Sequence, residues 1–174
     1  MKVKLTLLAL AITFFSSGFS RVGAQGFPWK EFERRTLKEL VAINESEDAE
    51  DRKRLPNQNR MMMRGKILSS AVRVTYVGES RIIGAERKKF LELWAGSYFS
   101  QTPGYASRYE SEFLFKEAND EYWLPVQKQV ASYFSKELQK GDTVDLYLIR
   151  PGGLITKGKT DWVFLVEEFL KPKE

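Results

Sequence analysis

The sequence predicts an α+β domain built on a small, strongly curved antiparallel sheet. Several short stretches alternate apolar and polar residues, the period-2 signature of half-buried strands. Others repeat apolar residues at three- and four-residue steps, as helices do. Aromatic residues make up 13% of the chain, enough large side chains to close a core without covalent staples.

Residues 1–24 have the three parts of a cleavable export signal. Lys2 and Lys4 make a positive start, LTLLALAITFF (5–15) is an uncharged apolar run, and Val22-Gly23-Ala24 offers short residues for cleavage before Gln25. The run is about half the roughly 20 residues that a membrane span needs, so the mature chain is expected to carry no span and to work in the periplasm or outside the cell. No cysteine is present to take a lipid. Cleavage would remove three basic residues and no acid, so the net charge of +5 falls to +2. With it goes most of the case for a nucleic-acid or anionic-membrane partner.

The mature chain divides into an N-terminal helix and charged linker at 25–59 and one domain at 60–174. At 25–43, Trp29, Phe32, Leu37, Leu40, Val41 and Ile43 lie near helical spacing behind Pro28, which suits a first helical turn. ESEDAEDRKR (45–54) has a single alanine as its only apolar residue and reads as a solvated linker or exposed helix end. Asn44-Glu45-Ser46 matches the N-glycosylation sequon. Met61-Met62-Met63 reads as flexible packing material.

In the main domain, Leu68, Ser70, Val72, Val74 and Tyr76 alternate into a strand that Gly78 is expected to end. Phe90, Leu91, Trp94 and Tyr98 share one face of a helix over 86–99. Tyr109, Ser111, Phe113 and Phe115 make a second strand, with Glu110 and Glu112 on its other side, and Asn119-Asp120 turns the chain into Tyr122-Trp123-Leu124. Pro125 is expected to open a helix carrying Val126, Val130, Phe134 and Leu138, which Gly141-Asp142 stops. VDLYLI (144–149) and WVFLV (162–166) form the last two strands. WVFLV is apolar on both faces and belongs in the middle of the sheet. The order, with a helix between the third and fourth of five strands, is that of an OB-like barrel, although the 86–99 helix stands where that fold has its second strand.

EYWLPVQ (121–127), then Gly141-Asp142, Leu146-Tyr147 and WVFLV, resemble a set of small exported bacterial proteins. The resemblance covers about the last two-thirds of the chain. It implies a bacterial origin and assigns no catalytic residue.

The absences are informative. With no histidine and no cysteine, Ser-His-Asp and Cys-His catalysis, thiolate or imidazole metal sites and disulfides are all excluded. No catalytic, cofactor-binding or metal-ligating residue is assigned. GLITKGKT, from Gly153 to Thr160, fits the P-loop pattern, but a P-loop leads from a strand into a helix whose N-terminus faces the phosphates. Here Asp161 and WVFLV come next, residues that favour strand, so the string is read as a hairpin using Pro151-Gly152-Gly153 and Gly158 for its turns, and no nucleotide is expected.

Glu110, Glu112, Asp120 and Glu121 offer carboxylates for glycoside hydrolysis or calcium, against a solvated strand face. Tyr105, Tyr109, Tyr122, Trp123 and Tyr133 offer a stacking platform for sugars or a polymer, against a place in the core. Glu167-Glu168 reads as a fraying strand end. The leading expectation is an exported, non-catalytic domain binding a protein or a cell-envelope polymer. The alternative is a hydrolase using Glu110, Glu112 and Glu121, and a weaker one is a nucleic-acid-binding OB module.

Overall fold

A computed structural model describes residues 26–54, 61–65, 67–156 and 159–172. The export segment at 1–24, Pro56, Asn57 and Asn59 of the linker and Gly158 of the hairpin lie outside the described residues. A 3-10 turn at Trp29–Glu31 leads to β1 (Glu33–Arg34), α1 (Leu37–Arg54), β2 (Met61–Met63), β3 (Ser70–Ile82) and α2 (Ala85–Tyr98). Then come β4 (Tyr109–Glu117), β5 (Asp120–Gln127), α3 (Lys128–Glu137), β6 (Thr143–Thr156) and β7 (Lys159–Leu170). The class is α+β, with a seven-stranded sheet of order β1-β3-β4-β5-β7-β6-β2. The sheet is mixed rather than antiparallel, because β1 runs parallel to β3 and β5 parallel to β7. β3 pairs with β6 as well as with β4, so the pairing passes along β3, β4, β5, β7 and β6 and returns to β3.

Helix α1 starts at Leu37, well after the start that the apolar spacing suggests, and a capping box sets that start. The N–H of Glu39 donates to Oγ1 of Thr36 at 3.0 Å and that of Thr36 to Oε2 of Glu39 at 2.7 Å. Glu117, from the end of β4, takes the next two free donors, Leu37 N at 2.8 Å and Lys38 N at 3.1 Å. A carboxylate there is favoured by the helix dipole. Phe27, Trp29 and Phe32 lie before the helix and pack on Tyr147. Of the two readings of the acidic stretch, linker and helix end, it is the helix end: it continues α1 to Arg54.

The core has two parts, one on each face of β6 and β7. Inside the ring of strands, Val72, Val74, Phe115, Leu124, Val144, Leu146, Phe164, Val166 and Phe169 meet Leu37 and Leu40 of α1 and Val130 and Phe134 of α3. Outside it, α2 lays Phe90, Leu91, Trp94 and Ala95 over Ile149, Leu154, Val163 and Leu165. β7 lies between β5 and β6 with both faces buried, as WVFLV requires.

Three expectations fail for local reasons. Gly78 does not end β3: with φ of +84° it sits where the register with β4 shifts between Tyr76 and Ser80, a β-bulge glycine. Pro125 does not open a helix but lies buried in β5 opposite Glu112; β5 meets β7 only at Val126, so at Pro125 one edge of the strand makes no demand for an N–H. Tyr109 does not share a face with Phe113 and Phe115. A register shift between Tyr109 and Ser111 inserts Glu110 as an extra residue and turns Tyr109 to the outer core.

β6 and β7 form the expected hairpin, paired as far as Thr156 and Lys159, so GLITKGKT runs from strand to strand. Pro151-Gly152-Gly153 is not its turn but a bulge inside β6, at a register shift between Ile149 and Gly152. Gly152 has φ of +136° and a Cβ on it would stand 1.8 Å from the carbonyl oxygen of Met62, so β2 lies directly on the glycine.

Candidate functional site

The carboxylates proposed for catalysis or calcium are not brought together. Glu110 is exposed and paired with Lys128. Glu112 is 1% exposed, held by Arg81 at 2.7 Å and by Arg87. Asp120 and Glu121 are exposed at the β4–β5 turn, and Glu121 stands opposite Lys116. Among the described residues no group of three or more acids is placed to hold a metal ion. The aromatic residues do not form one platform either. Tyr105 and Tyr109 are buried in the outer core, Tyr122 and Tyr133 pack on the inner one, and Trp123 lies under the guanidinium of Arg81 at 4.1 Å.

A different carboxylate is the centre of a built cluster. Opposite β7 the register shifts between Tyr147, paired with Glu168, and Leu148, paired with Val166, so Glu167 is the extra residue of a bulge. Bulges re-aim side chains, and this one lies beside Gln127 and Tyr109, which are cross-strand partners. Oε1 of Glu167 accepts from the hydroxyl of Tyr105 at 3.0 Å and from that of Tyr109, and Oε2 accepts from Nε2 of Gln127. Burial pushes the Glu167 carboxyl above the usual glutamate value, and the bonds from Tyr109, Tyr105 and Gln127 work against that rise. Burial, and then the charge of Glu167, push both phenols up, so both remain donors. Glu167-Glu168 is therefore no fraying end: β7 continues to Leu170 and Glu168 is itself 7% exposed.

The cluster stands between two hollows. On one side, Tyr105 and Tyr109 form part of the wall of a cavity of about 480 Å³, between the second half of α2 and the segment 99–109. Lys88, Glu92 and Glu110 bring charge of both signs to this cavity, and Ser100, Thr102 and Ser107 bring hydroxyls. Phe99 lies flat on Tyr105 with centroids 4.3 Å apart, and Gly104 turns the segment with φ of +75°. On the other side, Gln127 and Glu167 line a smaller hollow of about 190 Å³ with Phe27, Tyr133 and Glu168. The Glu167 hydrogen bonds thus fasten the wall of the larger cavity to β7.

Of this site, Tyr105 and Tyr109 are recognisable from the sequence, but their partner Glu167 is missed. The available signal was Phe169-Leu170, apolar residues after Glu167-Glu168 that show the strand continuing and one acid turned inward. Asn44 of the sequon is also no surface residue: it is fully buried, and its Oδ1 accepts from Arg150 at 2.6 Å. No family model, no curated protein and no solved structure matches the chain.

Proposed function

We propose that the protein is an exported, non-catalytic binding domain whose ligand site is the cavity between α2 and residues 99–109. One observation carries the reading: this cavity falls within the size range of ligand sites and mixes aromatic wall, hydroxyls and charges of both signs. Among the described residues the one carboxyl displaced upward from its ordinary behaviour, Glu167, has both oxygens engaged by donors from the protein itself, an arrangement suited to holding a wall and not to transferring a proton. The order of strand pairing, with α3 between the third and fourth strands of the ring, supports an OB-like barrel. The cavity is then built from the connection between its first two strands, a region where such barrels take oligosaccharides and other polymers. A cell-envelope polymer is the favoured ligand class. No helix among the described residues is long and apolar enough to cross a membrane.

The test is a titration of the isotopically labelled protein with soluble envelope-polysaccharide fragments, monitored by amide NMR. Saturable shifts at Phe99, Thr102, Gly104 and Ser107, abolished by Thr102→Trp in a protein that remains folded, are expected. Shifts centred elsewhere, or none with any fragment, would sink the assignment. Export is tested separately: protein recovered from the envelope fraction is expected to begin at Gln25, and recovery of an intact N-terminus would refute cleavage there.

A further inference from the structure

The polar face of α1 ends on two arginines from distant parts of the chain. Arg150, on the β6 bulge, is 3% exposed. Arg64 comes directly after β2, and its backbone is pinned at both ends: its N–H donates to Pro151 O at 2.8 Å, and its carbonyl accepts from Trp94 Nε1 at 3.1 Å. The first of these contacts sets Arg64 beside Arg150, and the approach of β2 onto Gly152 makes it possible. Both guanidinium groups reach one oxygen, Oε2 of Glu47, Arg150 at 2.9 Å and Arg64 at 3.5 Å. Arg64 also holds Asp51, and Arg150 holds Oδ1 of Asn44.

The charges balance, two against two, but the hydrogen bonds do not. Nε of Arg150, Nε and Nη2 of Arg64 and Nδ2 of Asn44 are buried without a hydrogen-bond acceptor. Every one of these orphans is a donor. A buried donor without an acceptor is costly, so a group bringing acceptor oxygens into this place is strongly favoured. Glu47, the acid that both guanidinium groups share, stands at the solvent edge of the cluster, with its side chain 43% exposed.

We propose that Arg64, Arg150 and the amide of Asn44 form a binding site for a small oxyanion, such as sulfate, phosphate or a carboxylate. The anion takes the place of the Glu47 carboxylate between the two guanidinium groups, Glu47 turns out to solvent, and the orphaned donors gain acceptors. Planar guanidinium forks suit such oxygens better than ammonium groups do.

The experiment is thermal unfolding and calorimetric titration of the purified protein with sodium sulfate, phosphate or acetate, against sodium chloride at matched ionic strength. A saturable rise in Tm with at least one oxyanion is expected, and none with chloride. Glu47→Gln removes the competing charge and is expected to tighten binding about tenfold, a gain that a merely structural role would not produce. Arg64→Lys, at the more open guanidinium, is expected to weaken binding in a protein that still folds, and Arg150→Lys to abolish it. Identical curves in all salts would mean that water meets these donors, and would overturn the proposal. So would binding that Glu47→Gln fails to strengthen, or that Arg64→Lys leaves intact.

Discussion

Arg87 of α2 donates to the carbonyl oxygen of Trp123 on β5 at 3.2 Å. The same guanidinium holds Glu112 of β4 and Asp161 of β7. One side chain therefore spans three strands, at the place where β5 and β7 are no longer paired below Val126 and Val166.

Arg87→Met is expected to destabilise the protein by about 2–4 kcal/mol, because it leaves a buried carboxylate short of a partner. Arg81 still reaches Glu112 but is itself half exposed. Adding Glu112→Leu is expected to recover most of the loss, since a buried pair is replaced by apolar groups at little cost. Urea unfolding of the two single variants and the double variant measures the coupling; strictly additive losses would contradict it.

Glu167 makes stability depend on pH with a known sign. Its folded value is raised above 4.5, so the folded protein holds this proton more tightly than the unfolded chain. The associated stability is complete below about the ordinary glutamate value and is lost as pH rises through the folded one. In Glu167→Gln that component is expected to vanish, which flattens the dependence above pH 4.5. Chemical denaturation at stepped pH reads it directly, and an unchanged slope in the variant would refute the assignment.

Two glycines are expected to respond oppositely to alanine. Gly152→Ala meets both a positive φ and the Met62 carbonyl, and is expected to cost about 2 kcal/mol or more. It should also free β2, visible as faster amide exchange at residues 61–63. Gly96→Ala, in α2 with nothing within 4 Å of the new methyl, is expected to stabilise by about 0.5–1 kcal/mol. Equal effects at the two sites would contradict both arguments.

Phe134 is the meeting point of the inner core, in ring contact with Tyr76, Phe113, Phe115 and Phe169. Phe134→Ala is expected to cost about 3–5 kcal/mol, measured by calorimetric or denaturant unfolding. A loss below about 1 kcal/mol would show that the site collapses around the cavity.

What could be read from the residues was periodic. β7 announces itself through WVFLV, α2 through Phe90, Leu91 and Trp94, and the β6–β7 hairpin through the strand-forming residues after Thr160. What could not be read was each place where one extra residue changes the face. The shifts near Gly78, Glu110 and Glu167 are set by the register with the neighbouring strand, and of these three only the first carries a local mark, its glycine. Glu167 owes its place to such a shift, so no local pattern distinguishes it from Glu168. The acidic half of α1 was obscured differently. Asn44, Glu47, Asp48 and Asp51 recur at helical spacing, but a polar face that meets Arg64 and Arg150 has the same composition as one that meets water. The start of α1 was legible after all, in Thr36 and Glu39.

The place where Arg87 stands has a consequence for how the molecule breathes. A ring of strands is as durable as its least-bonded seam. Between β5 and β7 the ladder is short, and side-chain bonds stand in for backbone ones. Opening there requires the Arg87 and Gln127–Glu167 side-chain bonds and the short Val126–Val166 pairing to let go, whereas parting β6 from β7 means undoing a long run of amide bonds. Native-state hydrogen exchange is therefore expected to report the lowest opening energy along this seam, with β6 and β7 separating only when the whole domain unfolds.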